Sequence, residues 1–331
     1  MLRDVPVIDI APFRSGDAAA KRSVAAEVGR AVDGIGFLVI TGHGVDRRFV
    51  DEVRAVSNAF FDLPDEAKRQ VARPAPDIAR GYIPLEAESV GRSQGVDVPG
   101  DLNESLMVGP VDVGSGDYFF GPGAGKHFHP NLWPTEPAAL RPLYEAYFRS
   151  MGTLAADLMA MFALALDLPE DFFADKIDHH ISRLRVRNYP APLVPPKPGQ
   201  LRAGAHCDYG SLTILRTEDK PGGLQVMNAE GEWRDVPIVP DCFIINIGEL
   251  MAKWTNEIWR ATLHRVVNPS AEQAAVSRRL SLVFFHNPNY DAPVAALPGT
   301  VKPGEAPRHA PTTSGEHLRA QFTRTQVAPA G

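Results

Sequence analysis

Leu140, Leu143, Tyr144, Tyr147, Phe148, Met151, Leu154, Leu158, Met161, Phe162 and Ala165 recur at steps of three and four residues. That is the period of one long amphipathic helix, with Thr135 or Glu136 placed to start it. Nearer the N-terminus, Ala18 to Val32 is rich in helix formers and is stopped by Gly34 and Gly36. Asp46 to Phe61 carries Val50, Val53, Ala55, Phe60 and Phe61 on an approximately helical period and ends near Leu63-Pro64. Short runs at Val5 to Ile10 and Gly36 to Ile40 read as strands, so a βαβα layer opens the chain. From Arg183 onward the pattern changes to short apolar runs rich in Val, Ile, Leu, Phe and Thr. They are Leu184 to Tyr189, Gly204 to His206, Leu212 to Leu215, Leu224 to Met227, Cys242 to Ile247, His264 to Val267 and Leu280 to Phe285. Turn clusters such as Pro-Gly-Gly separate them, which predicts antiparallel strands in two packed sheets, a jelly roll.

The expected fold is therefore mainly β with flanking helices: a jelly-roll core, an α/β N-terminal layer and one long backing helix. Residues 1–120 form the N-terminal region, 121–182 a helical linker carrying the long helix, 183–290 the core and 291–331 a C-terminal tail. Between Arg73 and Pro134, prolines and glycines leave room only for short elements, and so long a loop region is expected over the active site. Pro293 to Pro311, rich in Pro and Ala, is expected to be irregular and dispensable for the core.

Composition narrows the partners. A chain of 331 residues with 44 % hydrophobic side chains can bury a sizeable core. Its 34 basic and 40 acidic residues give a net charge of -6 with no block of like charge able to track a phosphate backbone, so nucleic acid is not an expected partner. The most apolar stretch, Leu154 to Leu168, is shorter than a bilayer span and contains Asp157 and Asp167, which reads as a buried helix and not as a membrane anchor. MLRDVPVIDI has no long apolar signal segment, and Cys207 and Cys242 provide no disulfide framework, which fits a cytoplasmic protein.

His206-Cys207-Asp208 sets an imidazole and a carboxylate two positions apart at a strand end, where both can converge on one face. His264 follows 56 residues after Asp208, at the start of another expected strand. Two histidines and one carboxylate on one face of Fe(II) leave the opposite face open for a co-substrate and O2. Taken singly, each residue reads as well as part of a structural hydrogen-bonded pair or as a half-buried histidine. Arg279 and Ser281, alternating onto one side of a later strand, can hold a carboxylate between them, since a buried guanidinium requires an anion. A surface salt bridge is the other use of such an arginine, and Arg278 stands beside it. His127 and His129 lie in a Gly/Pro-rich loop and are expected at the surface, and Cys207 is expected to point away from the metal.

Read in order, VPVIDI, GFLVITGHGV, Arg80-Gly81-Tyr82, Asn131-Leu132-Trp133-Pro134, Asn188-Tyr189-Pro190, HCDYGSLTIL, PGGLQV, Asn246-Ile247-Gly248, Trp254-Thr255-Asn256, HRVVNP and RLSLVFFHNP run nearly end to end. With these motifs the chain resembles the isopenicillin N synthase-like branch of the 2-oxoglutarate and Fe(II)-dependent dioxygenases. The resemblance implies a double-stranded β-helix core, Fe(II) on His206, Asp208 and His264, and Arg279 with Ser281 on the distal carboxylate of 2-oxoglutarate. Tyr189 matches a tyrosine that helps hold co-substrate or substrate in that family. Family position and strand-end placement offer Arg80, Tyr82, Leu106, Tyr209, Leu215 and Phe285 as pocket lining. The implied reaction oxidises a small organic substrate, most often by hydroxylation, with release of succinate and CO2. Because Asp208 is present, an oxygen-derived product is expected over a halogenated one. Two alternatives stand beside it: an oxidase of the isopenicillin N synthase type, which uses an Arg-x-Ser pair without 2-oxoglutarate, and a non-catalytic jelly-roll binding protein, whose mark would be a missing ligand. The stretch Ser270 to Ala275 looks longer than the usual turn and leaves Arg278 as a second candidate anchor.

Overall fold

In the computed structural model, residues 5–96 and 98–325 are described. Eight strands form one sheet: β1 Val7–Asp9, β2 Phe37–Thr41, β3 Gly81–Ile83, β4 Glu104–Val108, β5 Arg183–Tyr189, then β7 Leu212–Thr217, β10 Phe243–Ile247 and β12 Arg279–His286. Their order is β1-β2-β10-β7-β12-β5-β4-β3, antiparallel except for β1 beside β2. A smaller sheet, β6-β11-β8-β9, is built from β6 Ala203–His206, β8 Leu224–Met227, β9 Trp233–Asp235 and β11 His264–Val266. The sheets face each other as an open sandwich; the strands do not close into a barrel.

Alternation sorts the large sheet into two faces. Leu280, Leu282 and Phe284 of β12, Leu184 and Val186 of β5, and Leu212 and Ile214 of β7 join the helices in the main core. The intervening residues Val283, Leu215, Tyr189, Val39 and Ile244 face Ala203, Leu224, Val226 and Val266 of the small sheet. A strand with apolar residues on one face and a mixture on the other can bury both, because successive side chains point to opposite sides. The helix face is covered by Leu140–Ala165, which buries Tyr144, Tyr147, Met151, Leu158 and Phe162. It packs on β7 and β12 and on the helices Ala18–Gly34 and Arg47–Phe61. By length and composition this helix is able to cross a bilayer, yet 50 % of its most apolar window is already buried inside the fold. It starts at Leu140, later than Thr135 or Glu136, because Pro137 disfavours helical backbone at the residue before it. Asp17 and Asp46 cap the two earlier helices by accepting backbone N–H groups from Ala19 and Ala20 and from Arg48 and Phe49.

The N-terminal strands extend the core's own sheet on both edges, β1 and β2 on one and β3 and β4 on the other. β4 is fully buried although it carries Glu104, which accepts hydrogen bonds from Lys68 Nζ at 2.7 Å, Tyr82 OH at 2.5 Å and Asn188 Nδ2 at 2.8 Å. A charged residue at a buried strand position disguises the strand in the sequence. The segment from Pro293 to Pro311 differs from expectation: it is largely irregular, but it is part of the core. Val294 and Leu297 are buried in the main cluster, Trp254 Nε1 donates to Pro293 O at 3.0 Å, and Leu297 N donates to Trp254 O at 2.8 Å. Leu297→Ala should lower the unfolding free energy by about 2–3 kcal/mol, the cost of a cavity in a packed core, while the exposed Lys302→Ala leaves it unchanged; urea unfolding of the two variants measures the difference.

Candidate active site

The small sheet places two histidines side by side. His206 ends β6, His264 begins β11, and the two are direct cross-strand partners with ring centroids 4.3 Å apart. Asp208, just past the strand end, returns toward both: its Oδ1 lies 3.8 Å from His206 Nε2 and 3.7 Å from His264 Nε2. One ligand atom from each residue lies within 4.8 Å of the others. His206 Nδ1 donates to Gly204 O at 2.8 Å and His264 Nδ1 to Thr262 O at 3.0 Å, so each ring turns an Nε2 lone pair toward the shared centre. Asp208 Oδ2 accepts from Thr213 Oγ1 at 2.6 Å and Asn246 Nδ2 at 2.7 Å, which fixes the carboxylate and leaves Oδ1 to the centre. Thr213 and Asn246 are themselves paired across β7 and β10, so the large sheet aims a ligand of the small one. Burial, then the neighbouring His264, holds His206 below its ordinary range. Burial opposes ionisation of Asp208, but His264, His206 and the hydrogen bonds from Asn246 and Thr213 outweigh it and keep the carboxyl low.

A second polar centre lies deeper. Arg279, 1 % exposed, is opposite Tyr189 across β12 and β5, and its guanidinium lies over the Tyr189 ring at 5.2 Å. Nη1 donates to Gly222 O at 2.5 Å, whereas Nε and Nη2 are buried with no partner. Two orphaned donors on a buried cation mark the place of an anion, because burial without one is costly. Ser281 Oγ, two positions along the same face, lies 3.1 Å from Thr217 Oγ1. Arg278 is half-exposed and donates to Asp62 Oδ1 at 2.6 Å. The geometry therefore favours Arg279 over Arg278 as a carboxylate anchor. The donor set of three and the orphaned guanidinium fit Fe(II) and a dicarboxylate.

Three neighbouring spaces share walls around the ligand residues. One is lined by Tyr189, Leu215, Ser281, Val283 and the three ligand residues. The next, about 100 Å³, is lined by Arg183, Arg185, Arg187, Tyr209, Phe285 and Leu318 beside His206 and Asp208. It shares Val90, Met107, Arg185 and Tyr209 with a cleft of about 310 Å³. A larger cavity of about 510 Å³ lies elsewhere, between the long helix and residues 170–178, and includes none of the three ligand residues. Of the residues expected to line the pocket, Tyr209, Leu215 and Phe285 do so. Arg80, Tyr82 and Leu106 do not. Arg80 is 1 % exposed and is tied to backbone carbonyls of His127, His129 and Ala79; Tyr82 and Leu106 are packed in the main core. His127, expected at the surface, is buried, and burial with nearby Arg183 pushes it down to about 3. Cys207 Sγ donates to Ala261 O at 3.3 Å, and burial pushes the thiol up to about 12, so it is neither a ligand nor a reactive thiolate. The residues that sequence reasoning missed are Thr213, Asn246 and the arginines of β5; the alternating Arg-Leu-Arg-Val-Arg was the available signal for the last.

Comparison with known proteins decides the family. Residues 180–288 match the 2OG-Fe(II) oxygenase superfamily, and residues 5–136 match the N-terminal region described as that of a non-haem dioxygenase in morphine synthesis. A 2-oxoglutarate-Fe(II) type oxidoreductase of Emericella nidulans is 31 % identical over 97 % of this chain and 90 % of its own. The chain belongs to the 2OG-Fe(II) oxygenase superfamily. This oxygenase is likewise 31 % identical to validamycin A dioxygenase of Streptomyces hygroscopicus subsp. limoneus, over 92 % of this chain and 82 % of the relative. Its fold is similar to that of a full-length Neurospora crassa protein crystallised in complex with alpha-KG and thymine, with a TM-score of 0.85 and 28 % identity over 98 % of this chain and 99 % of that one. It is an Fe(II)- and 2-oxoglutarate-dependent oxygenase that oxidises a small organic substrate. Asn246→Leu, which leaves Asp208 held by Thr213 alone, should weaken Fe(II) binding about ten- to a hundredfold without unfolding the protein. Anaerobic Fe(II) titration with a circular-dichroism control measures it.

Proposed function

We propose that His206, Asp208 and His264 hold Fe(II), and that Arg279 and Ser281 hold the distal carboxylate of 2-oxoglutarate with Tyr189 beneath the guanidinium. The enzyme hydroxylates a C–H bond of a small molecule seated against Tyr209 and Phe285: substrate, O2 and 2-oxoglutarate become the alcohol, succinate and CO2. The observation that carries this reading is the pair of orphaned donors, Nε and Nη2 of Arg279, buried over the Tyr189 ring that lines the space beside the ligand residues. The bound metal supplies the oxidising chemistry; the chain supplies orientation and dryness. The backbone carbonyls of Gly204 and Thr262 fix the two imidazoles, and Thr213 with Asn246 fixes Asp208. Leu215, Val283 and Phe285 supply apolar walls to the space beside the ligand residues. Two free cysteines support the cytoplasm as the place of action.

Arg279→Ala should raise the dissociation constant for 2-oxoglutarate by at least about a hundredfold, since it deletes a buried charge partner, whereas Arg278→Ala changes it little. Anaerobic binding to the Fe(II) protein measures both, and the reverse order would move the anchor to Arg278. With a substrate identified by succinate release, turnover under 18-oxygen-labelled O2 in chloride buffer should yield a labelled hydroxylated product and no chlorinated one, because Asp208 occupies the position a halide would need. A dehydrogenated product without label would redirect the assignment to desaturation or ring closure.

A further inference from the structure

Strand β5 carries arginine at every second position, Arg183, Arg185 and Arg187, and alternation brings all three to the inner face. They are 9 %, 7 % and 5 % exposed. Arg185 is satisfied: it donates to Ser105 Oγ at 3.0 Å and to Glu88 Oε2 at 2.7 Å. Glu88 also accepts from Arg73, so this single carboxylate serves two guanidinium groups. Arg183 stands near another cation, Arg80; burial and that like charge push it down to about 9. Arg187 makes no hydrogen bond among the described residues; it lies in the field of Glu88 and Asp101 and lines both the middle space and the one beside Tyr189 and Ser281. The other carboxylates around it are engaged. Asp101 accepts the backbone N–H groups of Val90 and Gly204, both at 3.0 Å, and Asp208 is held by Thr213 and Asn246. Of the side chains lining the middle space, three are arginines and one, Asp208, is a carboxylate, so positive charge predominates on that wall.

2-Oxoglutarate is placed on other groups: Arg279 offers two orphaned donors to one of its ends, and the metal takes the other. The middle space, where the three arginines meet His206 and Asp208, has the charge to take a second anion. Its remaining walls are mostly apolar, Val90, Met107, Phe285 and Leu318, with Tyr209 and Asn287 among them. We propose that the primary substrate is a small carboxylic acid with an apolar body, its carboxylate seated on Arg187 within the field of Arg183 and Arg185 and its oxidisable carbon facing the metal. The proposal rests on the assignment of the Arg279 end to 2-oxoglutarate.

The test uses the anaerobic protein loaded with Fe(II) and 2-oxoglutarate and three probes, phenylacetate, cyclohexanecarboxylate and octanoate, each beside its primary amide. At least one acid should bind about tenfold or more tightly than its amide, the ratio a charge-assisted hydrogen bond supports. In Arg187→Gln that ratio should fall toward one, Arg187→Lys should keep part of it, and the loss should fall on the acid and not on 2-oxoglutarate. Equal binding of acid and amide in every pair, or no binding of any acid, overturns the proposal in the wild-type protein alone, whatever the variants do. A weakened 2-oxoglutarate titration in Arg187→Gln with acid preference intact also overturns it, by assigning Arg187 to the co-substrate. If the wild-type protein fails to bind 2-oxoglutarate before any acid is added, the reading of the Arg279 end fails first, and this inference with it.

Discussion

Charge inside an apolar sandwich has to be answered by charge, and Asp208 is where this molecule meets that requirement most tightly. A buried carboxylate is tolerable here because hydrogen bonds from Thr213 and Asn246 satisfy one oxygen while two imidazoles face the other. The two donors belong to the large sheet and the two imidazoles to the small one. The distance between the sheets is therefore set at the ligand itself, and the packing of Leu215, Val283 and Ala203 around it keeps that distance.

The same requirement explains how polarity is distributed along the cavity. Over Tyr189, Arg279 has two donors left over, and the tyrosine offers only the face of a ring. Toward the opening the charges are compensated in stages: Glu88 by Arg185 and Arg73, with burial opposing its ionisation and the two arginines holding it down to about 2. The apolar residues between these groups lower the local dielectric and so strengthen each polar contact.

The architecture supports this with a division of labour between the faces of one sheet. Leu280, Leu282 and Phe284 fasten β12 to the helix Leu140–Ala165, while Arg279 and Ser281 look the other way. Any shift of β12 by one residue would exchange these sets, putting an arginine in the main core and leucines in the site, so the hydrophobic packing behind the sheet enforces the register of the polar residues in front.

Much of this was legible in the order of residues. The three- and four-residue period of Leu140 to Ala165 determines a helix because a packed face must recur with the turn, and the strands from Arg183 onward follow from short apolar runs between turn signals. His206, Asp208, His264, Arg279 and Ser281 stood out through the order of motifs and the family resemblance, where type and spacing alone left structural readings open, and the structure brings the first three together. Three matters were not legible. The choice between Arg278 and Arg279 depends on which way a strand faces, and the packing of its neighbours decides that. Arg80, Tyr82 and Leu106 carry the chemistry of a pocket wall but are enclosed by carbonyls and core side chains far along the chain. The buried Glu104 of β4 and Arg187 of β5 differ in whether another element brings a hydrogen-bonding partner to them. Local sequence determines what a side chain can do; which opposite charge reaches it across a hundred residues is settled only when the sheets close.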